Sequence, residues 1–111
     1  MSLTLYFKEW VPAHEADVAR TNRTHNLNKM AEALGVYQLL WRPEEVKEGM
    51  IAKEILPQVV QALDELLANR EEYEQYDSPN GWGTTEGMIR FLREVRSACE
   101  EYPNSRLEAC R

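Results

Sequence analysis

The chain has 111 residues, with 19 acidic side chains against 13 basic ones and a formal charge of −6. That length makes one domain able to bury roughly two thirds of the surface of its unfolded chain, so no metal or disulfide staple is required. The acidic balance argues against DNA or RNA as a partner, because affinity for phosphate backbones rests on cationic contacts. No run approaches the roughly 18 apolar residues of a membrane span, and the opening Met-Ser-Leu-Thr-Leu-Tyr-Phe lacks a basic end followed by a long apolar stretch. A soluble, cytoplasmic protein with no membrane partner is the expectation.

Leu3, Leu5 and Phe7 alternate with Thr4, Tyr6 and Lys8, the two-residue period of a half-buried strand. The same period is fainter over residues 17–21, after a connection over residues 10–16 that contains Pro12. It returns at residues 106–110, after Pro103-Asn104-Ser105. A small antiparallel sheet of two or three strands from near both termini follows, and strands this short need helices over their apolar face.

From Leu27 the period changes to three or four, through Met30, Leu34 and Tyr37, with Thr24 or Asn26 placed to cap and Gly35 suited to the stop. Arg42-Pro43-Glu44-Glu45 reads as a new start, since proline tolerates the first helical position and acids favour the positive end of the backbone dipole. The strongest stripe is Ile51, Ile55, Val59, Leu63 and Leu66, flanked by Leu56, Val60 and Leu67, up to Asn69. Pro57 inside it predicts a kink or restart near residues 55–57. Residues 71–76 suit one or two turns, and Ser78-Pro79-Asn80-Gly81 is a tight turn. After Thr84 and Thr85, a second long amphipathic helix carries Met88, Phe91, Leu92, Val95, Ala98, Cys99 and Tyr102 to Pro103.

Two polar clusters, Asn22-Arg23-Thr24-His25-Asn26 and Ser78-Pro79-Asn80-Gly81-Trp82-Gly83-Thr84, each precede a helical pattern and exceed what capping alone requires. The positive end of a helix favours a neutral imidazole at His25, able to donate and accept at once. His25 and Asn22 then either satisfy the turn backbone and hold the corner, or form the polar floor of a ligand site. Trp82 either anchors its loop onto the core or stacks on a ring. If the two helix starts converge, free N–H groups at Thr24 and Thr84 could take a phosphate or carboxylate. The candidate ligand-binding residues are therefore Asn22, Thr24, His25, Asn26, Asn80, Trp82 and Thr84. Trp41-Arg42-Pro43 is either a surface anchor or a core-closing tryptophan.

With only His14 and His25 available, no zinc-protease pair, calcium loop, phosphate loop, dinucleotide fingerprint or nucleophile elbow is present, so no metal, cofactor or catalytic residue is assigned. Cys99 lies in a helical pattern and Cys110 is penultimate; neither belongs to a Cys-x-x-Cys pair, and free thiols are expected.

The strings Thr24-His25-Asn26-Leu27-Asn28-Lys29-Met30, Leu40-Trp41-Arg42-Pro43, Asn80-Gly81-Trp82-Gly83-Thr84 and Ala98-Cys99-Glu100-Glu101-Tyr102-Pro103 resemble small proteins encoded in bacteriophages and prophages. The resemblance spans most of the chain and implies a phage-borne source, with the cytoplasm of a bacterial host as the location. It assigns no activity and no residue roles.

These readings converge on an α+β domain over residues 1–111. It is mainly helical, with two long helices around Leu63 and Leu92 packed together over the small terminal sheet. The expected function is a non-enzymatic accessory protein that binds a small molecule or a host protein through converging loops. The alternative is a small enzyme using His25 as acid or base, which would need an orienting carboxylate at hydrogen-bond distance. A pure interaction protein would instead expose an apolar patch above roughly 400 Å², in one version closed as a homo-oligomer.

Overall fold

The alternation at the start of the chain becomes β1 (Ser2–Val11), the middle strand of an antiparallel sheet in the order β2-β1-β3, with β2 over His14–Thr24 and β3 over Arg106–Cys110. The computed structural model describes residues 2–11, 14–81 and 83–111. Register places Leu5 opposite Thr21 and Ala109, and Phe7 opposite Ala19 and Leu107. Side chains alternate across a strand, so Leu3, Leu5 and Phe7 share a buried face while Thr4, Tyr6 and Lys8 share the half-exposed one.

The hairpin is longer than the sequence period indicates. Pairing continues from Trp10 with Glu15 to Val11 with His14, so residues 10–16 are mostly strand and not a long connection. Pro12 and Ala13 lie outside the described residues. Phe7 pairs with Ala19 but Lys8 with Asp17, which makes Val18 the extra residue of a bulge. Past this bulge the hairpin leaves the core, and Trp10 is 76% exposed. With no face to bury there, alternation is not required and the signal fades.

A 3-10 turn over His25–Leu27 leads into α1 (Asn28–Ala33). Gly35, at φ +77°, ends that helix, and Tyr37 opens a separate α2 (Tyr37–Trp41) instead of extending the first stripe. α3 (Pro43–Val46) starts on its proline with Glu44 and Glu45 in the first turn. α4 (Ala52–Ala68) then runs for 17 residues without the expected restart at Pro57. The proline is exposed, and the buried residues on either side of it, Ile55 and Val59, hold both parts of the helix to one core. That packing outweighs one missing backbone bond. α5 (Arg70–Tyr73), a 3-10 turn over Glu74–Tyr76 and a loop lead to α6 (Thr85–Glu101), also 17 residues.

α4 and α6 pack together, and one buried cluster unites Leu3, Leu5 and Phe7 of the sheet with Val59 and Leu63 of α4 and Phe91, Leu92 and Val95 of α6. The fold is therefore α+β and mainly helical. Trp41 belongs to this core and is not a surface anchor: it is 1% exposed, stacked on Tyr37 at 5.7 Å and edge-on to Phe91 at 5.8 Å. The end of β2 is tied to α6 through Glu94, which accepts from Thr21 Oγ1 at 3.0 Å and from Arg23 Nη2 at 2.8 Å. The Arg23 guanidinium also lies over the Phe91 ring, 5.7 Å from its centre. No helix among the described residues is long and apolar enough to cross a membrane.

Phe91 therefore joins α6 to Trp41 and to the end of β2. Phe91→Ala is expected to lower stability by about 3–5 kcal/mol in urea unfolding, the usual range for a buried aromatic. A loss under 1 kcal/mol would contradict this packing. Both cysteines are unpaired; Cys99 is buried, and burial pushes its thiol up to about 12, while Cys110 is exposed. A thiol reagent at neutral pH should modify Cys110 alone in the folded protein and both residues in urea, because only the thiolate reacts.

Candidate functional site

The first corner is the passage from β2 to α1. Thr24 has extended backbone and its Oγ1 accepts from Asn26 N at 3.2 Å, which starts the 3-10 turn. Leu27, Met30 and Ala31 are buried and fix the corner to the core, leaving His25 and Asn28 half-buried and Asn26 and Lys29 exposed.

The second corner is the passage from α5 to α6. Asp77 Oδ1 accepts from both Thr85 N and Thr85 Oγ1 at 2.7 Å, and Thr84 Oγ1 accepts from Gly87 N at 3.1 Å. Between these caps, Gly81 N donates to Ser78 O at 3.0 Å and Ser78 N to Gly83 O at 3.1 Å, closing the tight turn that the sequence indicates. Ser78 Oγ donates to Asn80 Oδ1 at 2.6 Å within that turn.

These corners, nearly sixty residues apart in sequence, meet. Gly83 has φ +88°, and a Cβ placed there would stand 2.7 Å from Asn26 Cβ and 2.9 Å from its carbonyl carbon. Beside this contact lies a cleft of about 720 Å³, with His25, Asn26, Asn28 and Lys29 on one side and residues 75–79 on the other.

The residues singled out by sequence fall into distinct places. His25 and Asn26 line the cleft. Thr24 and Thr84 are helix caps, and Asn80 is held inside its own turn. Asn22 does not join the site: it lies within β2, and its Nδ2 donates to Thr4 Oγ1 at 2.8 Å and to Ser2 Oγ at 3.2 Å, across the sheet. Trp82 lies outside the described residues. At the two helix starts, three of the N–H groups that could face an anion are already engaged. The Thr85 N–H is taken by the Asp77 carboxylate, and those of Asn26 and Gly87 by the two threonines. An internal carboxylate already complements the positive end of α6.

Sequence reasoning missed Asn28, Lys29 and the wall formed by residues 75–79. Asn28 was discoverable, since it follows His25 by three residues, the spacing that stacks side chains on one face of a 3-10 turn. The role of Asp77 was not, because a cap eight residues before its partner has no local signature.

Two residues of this cleft, His25 and Asn28, hold buried atoms without a hydrogen-bond partner, Nε2 and Oδ1, and the Trp41 Nε1 of the core is a third. Such a group ordinarily costs about 1–3 kcal/mol, and native proteins hold few of them. No hydrogen bond joins the His25 ring to a carboxylate, and no group of three or more His, Cys, Asp and Glu is placed to hold a metal, both among the described residues. Comparison with protein-family models, with curated proteins and with solved structures finds no match for this chain.

The contact between corners can be tested with a pair of alanines. At Gly81, with φ +78°, a Cβ would meet no atom within 4 Å, so Gly81→Ala should cost only the backbone penalty of about 1–2 kcal/mol. Gly83→Ala has the same penalty plus a clash with the Asn26 backbone, and should lower stability clearly more. Equal losses in urea unfolding would mean that the corners do not touch.

Proposed function

We propose that this protein is a non-enzymatic accessory protein that binds a small polar molecule in the cleft between its two corners. The observation that carries the reading is an open concavity between the two corners, onto which His25, Asn26, Asn28 and Lys29 converge from one side and residues 75–79 from the other. Ligand sites are concave, with a few convergent polar groups that fix orientation. The phage-borne source implied by the resemblance belongs to the same proposal, as does the cytoplasm of a bacterial host as its setting.

Acid–base catalysis by His25 is the weaker reading. A general base is normally oriented by a second group, and no carboxylate hydrogen-bonds this ring among the described residues. Asp77, the acid on the opposite wall of the cleft, spends one oxygen on Thr85.

The test is a thermal-shift screen of polar metabolites on the wild type and on Asn28→Leu. Removing an unpaired buried carbonyl should leave the free variant as stable as the wild type or more so, while abolishing the response to ligand. A true ligand at a hundred times its Kd stabilises the wild type by about 2.7 kcal/mol. Equal shifts in both proteins, or none across the screen, would rule the cleft out as the binding site.

A further inference from the structure

Part of the chain's acidic excess gathers along one groove. Asp64 and Glu65 line a concavity of about 680 Å³ between the α1–α2 corner and α4, and Glu71 and Glu72 line an adjoining hollow of about 400 Å³ that shares Ala68 with it. All four carboxylates are exposed, and none makes an ion pair among the described residues. Arg70, the cation on the wall of the hollow, is already paired with Glu74 and Glu86. We propose that this groove docks a basic amphipathic helix of another protein, with its apolar stripe on the groove floor and its lysines and arginines against the carboxylates.

The shape of the groove favours a helix. Its floor is apolar and mostly small: Val36 and Ala62 are buried, Leu34 is half-buried, and Ala33 and Ala68 are exposed. Small residues let a second helix axis approach to about 8–10 Å. On α4 the lining runs from Gln58 to Ala68, about 15 Å of helix, which matches nearly three turns of a partner. The walls are helices bonded internally, and at the α1–α2 corner the amides of Leu34, Gly35 and Val36 are bonded too. No strand edge is offered to an extended peptide, whereas a helix satisfies its own backbone and needs none.

Charge selects a cationic partner. Glu65 Oε1 accepts from Asn69 Nδ2 at 3.1 Å and from the Tyr73 hydroxyl at 3.2 Å, neutral donors that orient the carboxylate without cancelling its charge. The acids are spread along the groove, and no three His, Cys, Asp or Glu among the described residues are placed to hold a metal ion. A row of side-chain cations flanking an apolar stripe matches that spread, and a single bound ion does not. Other concavities lack this combination. The cleft between the corners carries Lys29 and His25, and in the notch of about 470 Å³ beside Trp10, Lys8, Glu15 and Arg106 are already paired. The groove shares no lining residue with that cleft, so this proposal stands apart from the ligand reading.

The experiment is a titration of the full chain, followed by amide NMR and calorimetry, with a synthetic peptide of about four helical turns built from Leu, Ala, Lys and Arg with its leucines on one face. Two comparison peptides carry glutamate at every basic position, or the same composition scrambled so that the stripe is lost. The basic helix should bind and shift the amides of residues 33–36 and 58–68, and the glutamate peptide should not. The scrambled peptide should bind roughly tenfold more weakly, because its apolar side chains no longer meet the floor together. Asp64→Asn combined with Glu65→Gln should weaken binding roughly threefold to tenfold, the loss of two exposed charge pairs. Glu9→Gln combined with Glu101→Gln changes the net charge equally, away from the groove, and should leave binding within experimental error. No binding of the basic helix, equal affinity for the scrambled peptide, shifts outside the groove, or equal weakening by the two double variants would each overturn the proposal.

Discussion

A three-stranded sheet with one apolar face is unstable in water until something covers it, and that constraint organises the molecule. Leu3, Leu5 and Phe7 supply the face, and Phe91, Leu92 and Val95 of α6 belong to the core built on it. Once α6 is docked, its orientation is held where Glu94 receives Thr21 and Arg23 from the end of β2, and where Phe91 sits between Trp41 and the Arg23 guanidinium. The exposed ion pair alone contributes little, since surface salt bridges are typically worth under about 1 kcal/mol. Its value is directional: it sets where β2 ends relative to α6. The start of α6 and the end of β2 are then close enough for Gly83 to lie on Asn26.

The parts of this arrangement that were legible in the sequence are those governed by local physics. Alternation from Leu3 to Phe7 and the stripe from Ile55 to Leu66 record burial directly, because each side chain must choose a face. Thr24, offered together with Asn26 as a cap, was legible for a similar reason: a helix start leaves N–H groups that a nearby side-chain oxygen can satisfy. Where burial stops, so does the signal. The outer part of the hairpin, from Trp10 onward, obeys strand geometry but buries no consistent face, so it read as a connection.

The site itself was legible only as two separate corners. Their meeting depends on a glycine at position 83 that combines positive φ with the absence of a side chain, and sequence shows a glycine there without showing what it must avoid. Asn22 illustrates the opposite error. It belongs to the same polar string as His25, but strand periodicity sends its amide to Thr4 and Ser2, away from the cleft. Adjacency in sequence predicts a shared face only once the local period is known, and that period changes from strand to 3-10 turn between Asn22 and His25.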